Sequence, residues 1–268
     1  MYIKVLMEDT CGNPQCEYEH GLSLYIETEK HRILMDTGAS DKTWENAGRL
    51  GVELSDIDIV VLSHGHYDHS GGLMSFRDRN HEAVVYMQQS ALYDYYHDER
   101  YIGIDKAIGR MPRVEKLSGD LEIDGEISLF TGITGRKFWP QSNIGLSMRV
   151  DGENRQDEFG HEQCLVIQGI RKALISGCAH NGILNILDRY REIYGGAPEI
   201  VISGFHMMKK SDYTEEEKAV ILQTAEELGK TNTVFYTGHC TGQKAIDLMK
   251  PILGERLIQL HCGMEIRI

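Results

Sequence analysis

Between Val61 and Leu73 the chain reads VLSHGHYDHSGGL, which places His64, His66, Asp68 and His69 within six consecutive positions. Neutral imidazole and carboxylate are the donors that borderline divalent ions such as zinc accept, and catalytic sites built from them leave one position for water. The apolar run ending at Leu62 suits a strand buried on both faces. The cluster then occupies the loop leaving that strand. If this backbone stays extended, side-chain alternation points His64, His66 and Asp68 one way and His69 another, so two adjacent metal sites are expected.

The elements that must position such a loop are legible from periodicity. Short β-rich runs recur as YIKVLM, LSLYIET, HRILMD, DIVVLS, AVVYM, EISLF, CLVIQG, KALISG, EIVISG, TVFYTG and RLIQLH. Strands dominate the first half. In the second half, Ile183, Leu184, Leu187, Tyr190 and Tyr194 recur at helical spacing before a glycine stop. Thr214 followed by Glu215, Glu216 and Glu217 forms a capping-box start for a helix running to Gly229. A third helix is expected from Gln243 to about Leu253, with Pro251 tolerated late or marking its end. LIQLHCGMEIRI reads as a final strand, with His261 structural. The tyrosines of ALYDYYHDERY read either as a cap near the site or as the packing of an amphipathic segment. The polar segment 150–163 is the expected joint between two sheet-containing halves of one domain spanning residues 1–268.

Composition bounds the function. A chain of 268 residues with 41% hydrophobic content fills a substantial core. A net charge of −13 without a basic stripe gives no bulk support for a groove that holds polymeric nucleic acid. MYIKVLMEDT lacks the features of a signal peptide, and no apolar stretch reaches a membrane span. Six cysteines are too sparse for a disulfide scaffold, so reduced thiols in a cytoplasm are expected. Cys11, Cys16 and His20 are poorly spaced for a metal clip and read as loop residues.

HGHYDH matches the H-x-H-x-D-H signature of the metallo-β-lactamase superfamily, and ILMDTG at 33–38 resembles its upstream strand-aspartate motif. The resemblance implies an α/β fold, a four-layer αββα sandwich with the metal site at one edge of the two sheets. It implies His64 and His66 on a first metal, Asp68 and His69 on a second, and Asp36 orienting the loop by fixing a ligand tautomer. Strand ends later in the chain would complete the set, with His180 in ALISGCAHNG joining the first site and His239 in TVFYTGHCTG the second. Cys178 stands near the place where the superfamily has a bridging aspartate. It reads as a thiolate ligand, as a neighbour of a bridging water, or as a buried inert residue.

EHGLS, GCAHNGILNI, SGFHM and GHCTG together resemble one subgroup of the superfamily. Its archaeal members are described as dihydropterin-ribofuranosylaminobenzene phosphate synthases, and its bacterial members are mostly uncharacterised metal-dependent hydrolases. His206 is then a candidate substrate or proton-transfer residue, and Glu19 and His20 are candidate substrate-binding residues, with Glu19 orienting His20. The expected cofactor is two zinc ions, with iron, manganese or magnesium as alternatives.

The expected chemistry is hydrolysis of a small phosphorylated or ester-type metabolite by metal-bound hydroxide, with Asp68 holding its proton. The alternative is a transferase that condenses a dihydropterin diphosphate with an arylamine. A sensor without turnover needs no open metal position, and His66 stands where redox di-iron members usually carry glutamate.

Overall fold

The computed structural model describes residues 1–268. Each of the eleven β-rich runs contains a strand, and with three further strands they build two seven-stranded mixed sheets. The first runs in the order Glu265–Arg267, Tyr2–Met7, Ser23–Glu27, Arg32–Met35, Ile59–Val61, Val84–Gln88 and Val114–Leu117. The second runs Leu257–Gln259, Val234–Thr237, Ile200–Ile202, Lys172–Ile175, Cys164–Gln168, Ile127–Phe130 and Leu121–Glu122. A small four-stranded sheet joins Glu153–Gln156, Leu146–Val150, Asp94–His97 and Arg100–Tyr101.

Alternation sorts the strand residues into layers. Ile59 and Val61 of the first sheet meet Leu165, Ile167 and Ile175 of the second in the apolar layer between the sheets. Their neighbours Val60 and Leu62 face outward onto Trp44, Leu73 and Phe76. On the far side Val166 and Leu174 pack against Ile183, Leu187, Ala225 and Met249. Helices α1 (Lys42–Arg49), α2 (Tyr67–Ser70) and α3 (Leu73–Arg77) belong to the first half, and α4 (Ile183–Tyr194), α5 (Glu215–Gly229) and α6 (Gln243–Leu253) to the second. Helix, sheet, sheet and helix stack as an αββα sandwich around three apolar layers.

The three expected helices form as α4, α5 and α6. Thr214 accepts from the Glu217 backbone N–H while the Glu217 side chain accepts from the Thr214 N–H, completing the capping box of α5. Pro251 lies inside the last turn of α6. The C-terminal segment departs from expectation. LIQLHCGMEIRI is two strands, Leu257–Gln259 at an edge of the second sheet and Glu265–Arg267 at an edge of the first. The break is a tight turn at Gly263, whose φ of 80° an L side chain adopts only with strain. The tyrosine-rich segment is a β-hairpin. The chain passes from the first large sheet to the second between Leu117 and Leu121, whereas segment 150–163 carries Glu153–Gln156 of the small sheet.

The strands Arg32–Met35 and Ile59–Val61 are parallel, as are Lys172–Ile175, Ile200–Ile202 and Val234–Thr237. Their carboxyl ends deliver Asp36, the loop at 62–69, Cys178 with His180, His206 and His239. Gln163 bridges the sheets there, its N–H donating to Ser63 O at 2.8 Å and its amide to Leu62 O at 2.8 Å.

Candidate metal centre

The chain leaves strand Ile59–Val61 extended but turns helical at Tyr67. The extended alternation therefore fails at Asp68, which leaves the side of His64 and His66. It stands instead by His69, with Oδ2 3.4 Å from His69 Nε2. Two groups result. His64, His66 and His180 are mutual neighbours, with ring centroids 4.6 to 4.9 Å apart. Asp68, His69, His239 and Cys178 present donor atoms within 4.8 Å of one another. The Cys178 thiol also lies within that reach of His64 and His180, which places it between the groups. Gly177 permits this approach, because a Cβ there would lie 2.2 Å from Ser63 Oγ.

Each of these imidazoles but His66 has one nitrogen engaged from behind. Asp36 accepts from His69 Nδ1 at 2.6 Å and from the backbone N–H and hydroxyl of Ser63 at 2.7 Å each. Ser63 Oγ in turn lies 2.8 Å from His64 Nδ1, so Asp36 orients rings of both groups. Asn143 Oδ1 lies 3.1 Å from His180 Nδ1, and Asp9 Oδ1 lies 2.6 Å from His239 Nδ1. The remaining nitrogens converge. His180 Nε2 and His64 Nε2 are 3.3 Å apart, and the Nε2 atoms of His66 and His239 are buried without a hydrogen-bond partner. His239 Nε2 comes within 3.3 Å of Asp68 Oδ2 without bonding geometry. Unpartnered buried nitrogens are costly unless a cation or proton meets them, so this donor set fits a divalent ion.

The two groups differ electrostatically. Burial, aided by neighbouring histidines, holds His64 and His180 well below the ordinary histidine value and His66 at about 3, leaving neutral rings ready to ligate. In the other group burial opposes charge, but Asp36 and Asp68 raise His69 to about 9, and Asp68 and Asp9 raise His239. Burial pushes the Cys178 thiol well up.

A cavity of about 170 Å³ opens onto these groups, lined by His66, Asp68, Cys178, His180, His206 and His239, with His20, Tyr67, His97 and Arg100 also on its wall. His97 and Arg100 come from the tyrosine-rich hairpin, but its tyrosines do not line the cavity, and Tyr95 packs with Ile102, Leu146 and Phe159 as the packing reading had it. Larger clefts elsewhere, such as that of about 600 Å³ between Gln88 and Arg136, carry no cluster of metal donors.

His20 stacks on His239 with centroids 4.6 Å apart and holds Asp9 Oδ2 at 2.8 Å. Asp9 therefore orients His20. Glu19 does not, because its carboxylate turns to Ser40 and Lys42 and is absent from the cavity wall. The His206 ring centroid lies 4.0 Å from that of His180, with both of its own nitrogens buried and unpartnered. Cys11 and Cys16 are not joined to His20. Cys11 is exposed, and Cys16 packs with Met7 and Cys262.

Several contributors escaped the sequence reading. Glu8 accepts from the His239 backbone N–H, and Glu162 accepts from the N–H groups of His180 and Asn181 at 2.7 and 3.0 Å. His161 Nδ1 accepts from Gly65 N–H at 2.9 Å, while its Nε2 meets Asp157 at 3.0 Å. The acidic pair Glu8–Asp9 just after the first strand was the available signal. Asn143, His161 and Glu162 had none, being single polar residues in unpatterned loops.

The family model described as "Metallo-beta-lactamase superfamily" matches residues 18–239. The chain belongs to the metallo-β-lactamase superfamily. It is 31% identical, over 99% of its length and 100% of the relative's, to an uncharacterized protein of Methanocaldococcus jannaschii. A second relative from that organism is 7,8-dihydropterin-6-methyl-4-(beta-D-ribofuranosyl)-aminobenzene-5'-phosphate synthase, 29% identical over 99% of this chain and 96% of its own. Among solved structures, a metal-dependent hydrolase of the beta-lactamase superfamily superposes with a TM-score of 0.83 at 30% identity, covering 100% of this chain and 99% of its own. Family membership and clustered donors together make this a metal-binding enzyme with the metallo-β-lactamase fold.

Proposed function

We propose that this chain is a single-domain, metal-dependent hydrolase of small phosphorylated or ester-type metabolites, working in a cytoplasm where its six free thiols stay reduced. The observation that carries the reading is the convergence of two donor groups, with unpartnered Nε2 atoms, on one cavity. His64, His66 and His180 would hold one ion, and Asp68, His69 and His239 a second, with Cys178 between them. Zinc suits the imidazole-rich donor set. When bound, such ions lower the pKa of a coordinated water to about 7 and take up charge on a carbonyl or phosphoryl oxygen.

The chain's own residues supply the rest. The Asp68 carboxylate faces three imidazoles at 3.3 to 3.5 Å, a position from which it can hold a proton of the attacking water. His20, half exposed at the cavity wall and held through Nδ1 by Asp9, presents Nε2 to Asp68 and to incoming substrate as a proton donor. Among the residues of the wall, Arg100 is the lysine or arginine available to an anionic substrate, its guanidinium 3.1 Å from Tyr67 Oη.

The second reading is transfer of a dihydropterin from its diphosphate to an arylamine. The archaeal synthase, similar over nearly the whole chain, supports it. The test is to measure bound metal and then compare cleavage of a small aryl phosphodiester, a β-lactam, and a dihydropterin diphosphate with arylamine. Phosphodiester cleavage is expected. Fast β-lactam cleavage without phosphoryl chemistry overturns the phosphate reading, and product that requires the arylamine moves the enzyme to the transferases.

A further inference from the structure

Beside the two donor groups the cavity wall carries a third, of different chemistry. Cys178, His206 and Cys240 present donor atoms within 4.8 Å of one another, and all three line the cavity. We propose that they form a third cation subsite, selective for thiophilic divalent ions of the zinc class.

The backbone is shaped to bring them together. His206 and His239 both hold left-handed φ values, 49° and 47°, and so does Ala179 at 53° between Cys178 and His180. Non-glycine residues occupy that region at a cost, and such strain concentrates where side chains must be aimed. The turn His239–Thr241 sends His239 toward Asp9 and Asp68 and the next residue, Cys240, toward Cys178. Gly204 makes room for that thiol, because a Cβ there would lie 2.4 Å from Cys240 Sγ. Ser142 fixes the His206 loop by donating to the His206 carbonyl.

The donor set suits a cation. Both His206 nitrogens are buried without a hydrogen bond of good geometry, and the Cys240 thiol, which stands close to His206 and to the Cys178 thiol, donates to the Cys178 carbonyl at 3.5 Å. With metal–sulfur bonds of about 2.3 Å and metal–nitrogen bonds of about 2.0 Å, a tetrahedral ion holds its donors roughly 3.5 to 4 Å apart. Small side-chain rotations reach that from the observed separations. Two S–H protons leave to water as the ion enters, and the fourth position faces the cavity. Two sulfurs and one nitrogen favour zinc, cadmium or cobalt over magnesium and manganese, which prefer oxygen. In this arrangement His206 is a ligand rather than a proton donor.

The experiment is a cobalt(II) titration of the metal-free full-length protein, read by its near-ultraviolet thiolate-to-cobalt charge-transfer band and by bound cobalt. We expect the band in the wild type, its intensity largely lost with one bound ion in Cys240→Ser, and its retention in His64→Ala. No band at any loading overturns the subsite. So does a band unchanged in Cys240→Ser, which leaves Cys178 acting alone with the histidine groups. If Cys240→Ser fails to fold by circular dichroism, cadmium-113 resonance on the wild type decides, and absence of a signal shifted by two thiolates overturns the proposal. A protein that shows the band but cleaves no ester keeps the subsite and loses the hydrolase reading, whereas cleavage without the band does the reverse.

Discussion

Asp36 touches no substrate, yet one of its oxygens accepts from both His69 and the Ser63 hydroxyl, and the other from the Ser63 backbone. Its φ of 62° is one that aspartate and asparagine tolerate better than most residues. Asp36→Asn should therefore keep the fold while misorienting both rings. A loss of about 10- to 100-fold in metal affinity or activity is expected for such a partner, checked by metal competition alongside an unchanged melting temperature. At the rings themselves, His64→Ala and His66→Ala each remove one donor of three. Both variants should lose turnover and retain less bound metal by elemental analysis. Full metal content and activity in both would end the assignment.

At the scale of elements, parallel strands end where the chemistry is needed. That arrangement rests on ordinary local signals, and one of them can be measured apart from the site. The capping box of α5 satisfies two orphan N–H groups at an exposed helix end. Thr214→Ala should lower stability by about 0.5–2 kcal/mol, and Thr214→Ser by much less. Denaturant midpoints at constant slope read the difference, with metal content unchanged. Local signals failed where tertiary contacts decided. Helix α1 is only eight residues long and was hidden in a polar stretch, and its Trp44 and Ala47 find apolar partners only against the outer face of the first sheet. The last twelve residues look like one strand because both pieces are apolar, and only the pairing of Glu265–Arg267 with Tyr2–Met7 separates them.

Across the whole molecule, His31 ties loops of the two sheets together. Its ring meets Asp58 before the strand Ile59–Val61 and Asp124 before Ile127–Phe130, each at 3.0 Å. Burial opposes its charge, but hydrogen bonds to both carboxylates raise His31 above the ordinary histidine value. A raised folded value makes this contribution fully present below the unfolded value near 6.5, and lost as pH rises through the folded one. On the acid side Asp124, lowered by its bond to His31, loses its share as pH falls through its own folded value. The stability gap between wild type and His31→Gln should thus be widest in mildly acidic buffer, amount to under about 1 kcal/mol for so open a pair, and close in alkaline buffer. Urea midpoints across that range check it, and a gap that widens with rising pH contradicts it.

The net charge of −13 acts on the same scale. It makes binding to long polyanions unfavourable, and no filter retention of DNA or RNA is expected at moderate salt.

Sequence by itself determined eleven of the strands, the three long helices, the metal-capable cluster H-x-H-x-D-H and the places of His180 and His239 just past strand ends. The strands and helices are written as local patterns, an apolar alternation or a cap, that physical chemistry reads directly, whereas His180 and His239 were picked out by the family resemblance, which pointed to strand ends. Tertiary structure alone decided that Asp68 sides with His69, that Asp9 rather than Glu19 holds His20, and that Cys178 stands between two histidine groups and beside Cys240. Those facts depend on which loops meet across two sheets, and residues far apart in the chain carry no periodic trace of the neighbours they will have.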